Sequence, residues 1–154
     1  MSFRRSWWYV LIILVAGATR ADATGSCSIT NVVGVAFGTY DVFSTTPDDT
    51  AGSVSFLCSG LGSGTVTVSL SAGSSSSMLA RTLVDGASTL GYNVYLDAAR
   101  SIVWGDGTNG TSTYGPTMPP DGTEVTVTAY GRVPAEQNVA AGTYADTLVV
   151  TLTF

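Results

Sequence analysis

Apolar residues in this chain alternate with small polar ones in short runs, and that period of two constrains the fold more than any other feature. Successive side chains of a strand point to opposite faces, so each run has one apolar face and one wet face. Ser53 to Cys58 places Val54, Phe56 and Cys58 together, and Thr65 to Ser71 does the same with Val66, Val68 and Leu70. Tyr92 to Asp97 aligns Tyr92, Val94 and Leu96, and Glu124 to Arg132 aligns Val125, Val127 and Ala129. Leu148 to Phe154 aligns Leu148, Val150, Leu152 and Phe154, while Ser28 to Phe37 is rich in Val and Ile. Turn formers such as Pro47-Asp48, Ser59-Gly60, Asp85-Gly86, Asp106-Gly107, Asp121-Gly122 and Ala141-Gly142 separate these runs. The separating segments are too short for crossover helices, so the strands are expected to pair antiparallel. Six or more such strands predict one all-β domain, an antiparallel β-sandwich, with no internal repeat.

The N-terminus follows a different rule. Arg4 and Arg5 precede an unbroken apolar run, Trp7 to Val15, and Ala21-Asp22-Ala23 has the small-x-small pattern of a cleavage site. This order reads as a secretory signal peptide over 1–23, leaving 24–154 as the mature domain. The apolar stretch falls well short of the roughly 20 residues that span a bilayer as a helix. No stable membrane insertion is therefore expected after cleavage. An uncleaved anchor is the alternative, and a twin-arginine route would rest on one Arg pair alone.

Beyond residue 23 the chain has three basic residues, Arg81, Arg100 and Arg132, against ten Asp and Glu, a net charge of −7. Nucleic-acid binding needs clustered Lys and Arg, so it is not expected. Absence of His excludes Ser-His-Asp and Cys-His catalysis, and absence of Lys excludes Schiff-base chemistry. The acids sit in turn-like sequence, so no enzyme activity, metal or cofactor is expected. Gly105 to Gly110 lacks the alternating acids and closing Glu of a calcium loop and reads as a tight turn. Asn109-Gly110-Thr111 matches the glycosylation sequon, a pattern that arises often by chance. Trp104 has two readings, a sugar-stacking platform or a side chain packed against the sandwich, and packing is preferred. Cys27 and Cys58 are the two cysteines, and export makes a disulfide between them the expected state, with free buried thiols as the alternative.

Five segments, in order, carry a resemblance. They are Val35-Ala36-Phe37-Gly38-Thr39-Tyr40-Asp41, Gly52 to Cys58, Tyr92 to Asp97 followed by Trp104-Gly105-Asp106-Gly107, Tyr130 to Ala135, and Ala141-Gly142-Thr143 leading into Tyr144 to Phe154. Together they resemble the spore coat protein U-like domain, the subunit family of archaic chaperone–usher pili. The resemblance implies an immunoglobulin-like sandwich that is incomplete, its last strand supplied by a partner. A periplasmic chaperone fills the gap first, and a neighbouring pilus subunit delivered at an outer-membrane usher replaces it by donor-strand complementation. On that resemblance, the strand bearing Leu148, Val150, Leu152 and Phe154 borders the chaperone and donor-strand groove. The implied location is a cell-surface fimbrium, with roles in adhesion and biofilm. Three residues, Thr24 to Ser26, separate the expected cleavage site from Cys27, fewer than a donor strand needs. The subunit is therefore expected to accept a strand without giving one, as a terminal subunit would. An adhesin-like surface or glycan-binding module, or a spore or cyst coat protein, are the alternative functions.

Overall fold

A computed structural model describes residues 25–154, and the signal peptide expected over 1–23 lies outside the described residues. Eight strands run β1 (Ser26–Val33), β2 (Asp48–Ser59), β3 (Val66–Leu70), β4 (Arg81–Asp85), β5 (Ser88–Tyr95), β6 (Tyr114–Thr117), β7 (Glu124–Val133) and β8 (Val150–Thr153). They form two antiparallel sheets, β1-β2-β7-β5-β4 and β6-β3-β8, with no helix among the described residues. The result is the expected immunoglobulin-like sandwich.

Register follows the alternation read from the sequence. Phe56 lies opposite Val125 and Val54 opposite Val127, so the inward faces of β2 and β7 coincide. On the second sheet, Val66, Val68 and Leu70 of β3 face them across the interior. Each fully buried side chain among them, Phe56, Val66 and Val68 above all, contributes about 1.5–3 kcal/mol relative to exposure. Cys27 lies opposite Cys58, and their sulfurs are bonded at 2.04 Å, fastening β1 to β2.

Several boundaries differ from those read in the sequence, for local reasons. The run from Ser28 to Phe37 stops being strand at Val33, because the backbone of Val33 and Gly34 crosses directly over Gly52, where no side chain fits. Val35 and Phe37 still pack on the core, from an irregular segment. Gly131 makes room for this segment, since a Cβ there would stand 2.9 Å from Phe37 Cζ. The short strands β4 and β6 have no sequence-based expectation behind them: β4 has few apolar residues, and Gly115-Pro116 interrupts any alternation in β6. Asp85 pairs with Ser88 across a two-residue turn in which Gly86 has φ 58°, the left-handed backbone such a tight hairpin uses.

Candidate strand-acceptor cleft

One flank of the sandwich is closed and the other is not. In β2, Phe56 is 0% exposed and Val54 is 3%. Their register partners on β1 are Ile29 and Val32, which point to the same face. A bulge at Thr30 keeps Val32 inward-facing despite the extra residue. Yet Ile29 is 38% exposed and Val32 is 51%. One strand spacing thus separates a sealed interior from apolar side chains in water. The cause is the unequal width of the sheets, five strands against three: the second sheet ends at β8 and does not extend over β1.

β8 shows the same deficit from the other side. It pairs with β3 from Thr67–Thr153 to Leu70–Val150, and its outer edge has no strand partner among the described residues. Leu148, Val150 and Leu152 pack on the core but are only half-buried, whereas the inward residues of β3 are buried. Phe154 is 56% exposed. β1 comes alongside β8, with Cα atoms within 8 Å.

The segments that follow β1 and precede β8 line a cleft of about 760 Å³. One bank is the irregular segment 35–43 that follows β1, and the other is the segment 139–146 that precedes β8. Leu83 and Leu90 form the floor. None of Leu148, Val150, Leu152 and Phe154 lines this cleft; they continue the line of the second bank towards the C-terminus. The lining segments are two of those that carry the family resemblance, Val35 to Asp41 and Ala141 to Asp146. Their alternation is interrupted by glycines, so strand patterning alone does not reveal them.

Each bank is anchored to the body of the domain. Phe37 packs edge-on against Tyr92 at 5.9 Å between ring centroids. Tyr40 Oη donates to Pro134 O at 2.8 Å and accepts from Gln137 N at 2.9 Å. The Gln137 side chain also exchanges two hydrogen bonds with the backbone of Gly91, doing there what a neighbouring strand would do. On the opposite bank, Ala145 and Val84 exchange two backbone hydrogen bonds, at 2.8 and 3.1 Å. Asp146 accepts from Tyr92 Oη at 2.7 Å, from Ser74 N and Oγ, each at 2.7 Å, and from Thr147 N at 2.8 Å. No backbone hydrogen bond joins the two banks to each other among the described residues. Burial pushes the Asp146 carboxyl up, but these donors outweigh it and hold it below the ordinary carboxylate value. Burial, reinforced by the bond to Asp146, pushes the Tyr92 phenol far up.

The closed flank is fixed by buried polar groups. Trp104 is fully buried and its Nε1 donates to Val68 O at 2.9 Å, so it offers no stacking platform. Arg81 is also fully buried, donating to Ser71 O, Asn93 Oδ1 and Trp104 O at 2.7–3.0 Å. Burial pulls its guanidinium below the ordinary value, with the charges of Tyr92 and Asp146 opposing the shift. In the Gly105–Gly110 turn, Asp106 Oδ1 is taken up by Thr108 N and Oγ1. No group of three or more His, Cys, Asp or Glu could hold a metal among the described residues.

Residues 14–151 match the family model described as the Spore Coat Protein U domain. Protein U of Myxococcus xanthus is 39% identical over 148 residues, covering 87% of this chain and 80% of that protein. Among solved structures, the fold is similar to the crystal structure of a chaperone–tip adhesion subunit pre-assembly complex, CsuC–CsuE, from the archaic chaperone–usher Csu pili of Acinetobacter baumannii. The TM-score is 0.57 at 22% identity. That match covers 84% of this chain and 40% of the solved one, so the chain spans well under half of the length of its structural relative.

Proposed function

The chain belongs to the Spore Coat Protein U domain family, and from that premise we propose that it is an exported subunit of a chaperone–usher-type surface pilus, completed by a strand from another chain. The observation that carries this reading is the step in exposure between β2 and β1, on one face and at one register. An apolar face left open beside the unpaired edge of β8 is an aggregation hazard that a monomeric domain does not keep without purpose. A strand laid along the outer edge of β8, displacing its contact with β1, would pair with β8 and cover Ile29, Val32, Val150 and Leu152. Continued past β8, it would enter the cleft between segments 35–43 and 139–146. Leu148, Val150, Leu152 and Phe154 border the path of that strand.

The partners that follow are a periplasmic chaperone, an outer-membrane usher and other subunits, with the fimbrium as the site of action and no catalytic role. Cleavage after Ala23 would leave Thr24 to Ser26 ahead of Cys27, too few residues to serve as a donor strand. The subunit would then take a terminal position, receiving a strand without giving one. A coat assembly using the same acceptor groove is the second reading, favoured by the family's description and by the likeness to Protein U.

Co-expression in a periplasm with a chaperone of this pilus class tests the proposal. The expected result is a one-to-one complex that protects β8 amides from exchange, and poor recovery of the domain expressed alone. A fully soluble, monomeric domain that ignores both the chaperone and donor peptides would overturn it. Intact mass of the exported protein fixes the cleavage point, and a mature N-terminus upstream of Ala16 would end the terminal assignment.

A further inference from the structure

The cleft is apolar within and acidic at its margin. Val35, Phe37, Leu83, Leu90, Val139 and Tyr144 supply its apolar surface. Its charged lining residues are Asp41 and Asp146, and it has no basic one. Asp85 adds a third carboxylate beside it, with Oδ2 lying against the backbone of Gly142, another lining residue. Asp41 Oδ1 accepts the Phe43 N–H, and Asp146 is held ionised by its four donors.

Among the described residues Asp41 and Asp85 have no basic partner, and Asp146 meets only the buried charge of Arg81. The domain's basic residues are Arg81, Arg100 and Arg132. Arg81 is buried on backbone carbonyls and Asn93. Arg100 and Arg132 both engage Asp49, at 3.1 and 2.7 Å, and Arg132 does so through two nitrogens. An occupant with acids of its own would meet this margin with like charge, in a domain already at −7.

We infer that the strand which enters this cleft belongs to a partner chain and combines alternating apolar residues with a Lys or Arg placed against the Asp41, Asp85 and Asp146 margin. This rests on the strand-acceptor reading above. The apolar residues supply affinity, and the basic one selects among donors and sets which end of the strand lies at the wide part of the cleft. Among subunits with equally apolar donor segments, the charge next to the apolar run then decides which one follows this chain.

The test uses the exported domain and three synthetic ten-residue peptides with one alternating apolar core. At the same flanking position they carry Lys, Gln or Glu. Binding is read by the thermal shift of the domain and by fluorescence anisotropy of labelled peptide. At low ionic strength the Lys peptide is expected to bind about three- to tenfold more tightly than the Glu peptide, with Gln between. The gap is expected to shrink at 1 M salt, where the Debye length falls to about 3 Å. In the double variant Asp41→Asn, Asp85→Asn, whose amide oxygens keep the local acceptors, the gap between the Lys and Glu peptides is expected to narrow to less than half, Asp146 alone remaining charged at the margin. An unchanged melting temperature and circular dichroism spectrum show that this variant folds. Equal binding of Lys and Glu peptides to the unmodified domain overturns the charge inference and leaves the acceptor reading standing. No binding by any peptide overturns both. Concentration-dependent chains of the domain alone, seen by sedimentation, would make a second copy the occupant and overturn the assignment to a partner.

Discussion

Val54 and Val32 are the same residue type, directly opposite each other in one sheet and facing the same way, yet one is buried and the other half in water. The first belongs to the closed flank, where β3 and Trp104 cover the sheet and buried polar groups are all satisfied. The second belongs to the open flank, where the opposing sheet ends one strand early. Local sequence does not distinguish them. What differs is how many strands the opposite layer has, which is a property of the assembly. An incomplete sandwich is therefore recognised by a mismatch between pattern and burial: residues with core patterning at positions where no core exists.

The closed flank should break hardest. Trp104→Ala removes the largest fully buried side chain and strands the Val68 carbonyl. The expected loss is about 3–5 kcal/mol of unfolding free energy, read from urea titration. A loss under about 1 kcal/mol would mean that Trp104 is not part of the folding core. Next in size is the bond that holds the open flank's edge. Replacing Cys27 and Cys58 together by Ala releases a link across a sequence separation of 31. The chain-entropy argument gives a cost of about 3–4 kcal/mol. On the open-flank picture, amide exchange in β1 should rise more than in β7, because β1 has a neighbour on one side only. Equal acceleration across both strands would argue that β1 is as firmly packed as the rest.

The sandwich class was legible because five of the eight strands alternate cleanly, and the disulfide because two cysteines have one possible pairing. β4 and β6 carry no clean alternation. Arg81 stands where an inward apolar residue would be expected, and its charge is buried only because Ser71, Asn93 and Trp104 present oxygens to it, an arrangement no local pattern announces. The cleft was legible only in part. Its motifs, Val35 to Asp41 and Ala141 to Asp146, stand out as family segments, but glycines break their period. What makes them two banks is their separate anchoring, Tyr40 to Pro134 and Gln137 on one side and Ala145 to Val84 on the other. These are contacts between residues more than 50 positions apart.

A direct measure of the two flanks is a pair of identical truncations. Val54→Ala should cost about 2 kcal/mol in the isolated domain, the sum of lost burial and a partly collapsed cavity. Val32→Ala should cost about 0.5 kcal/mol or less, since the side chain is already 51% exposed. In the presence of a bound donor peptide or chaperone the second figure should rise towards the first, because the inserted strand buries Val32. If Val32→Ala is equally mild free and bound, the strand does not cover β1.

The smallest effect expected is confined to one bank and depends on pH. The Asp146 carboxyl sits below its ordinary value because the hydrogen bonds from Tyr92, Ser74 and Thr147, donated to the ionised form, outweigh its burial. A carboxyl depressed in the folded state favours folding fully at pH values above its unfolded pKa of about 3.9, and that contribution fades as pH falls through the lower folded value. Between neutral pH and pH 5, therefore, the segment 139–146 should hold its place. Below about pH 4 the protection factor of the Ala145 amide should fall while that of β7 holds, since Asp146 fastens the bank and touches the core only through the Tyr92 hydroxyl. Asp146→Asn cannot titrate, and with its oxygen on the Ser74 and Thr147 donors its amide can donate to the Tyr92 hydroxyl oxygen, so it should remove the acid-dependent loosening. Acid loosening of the same size in both proteins would show that Asp146 does not control this bank.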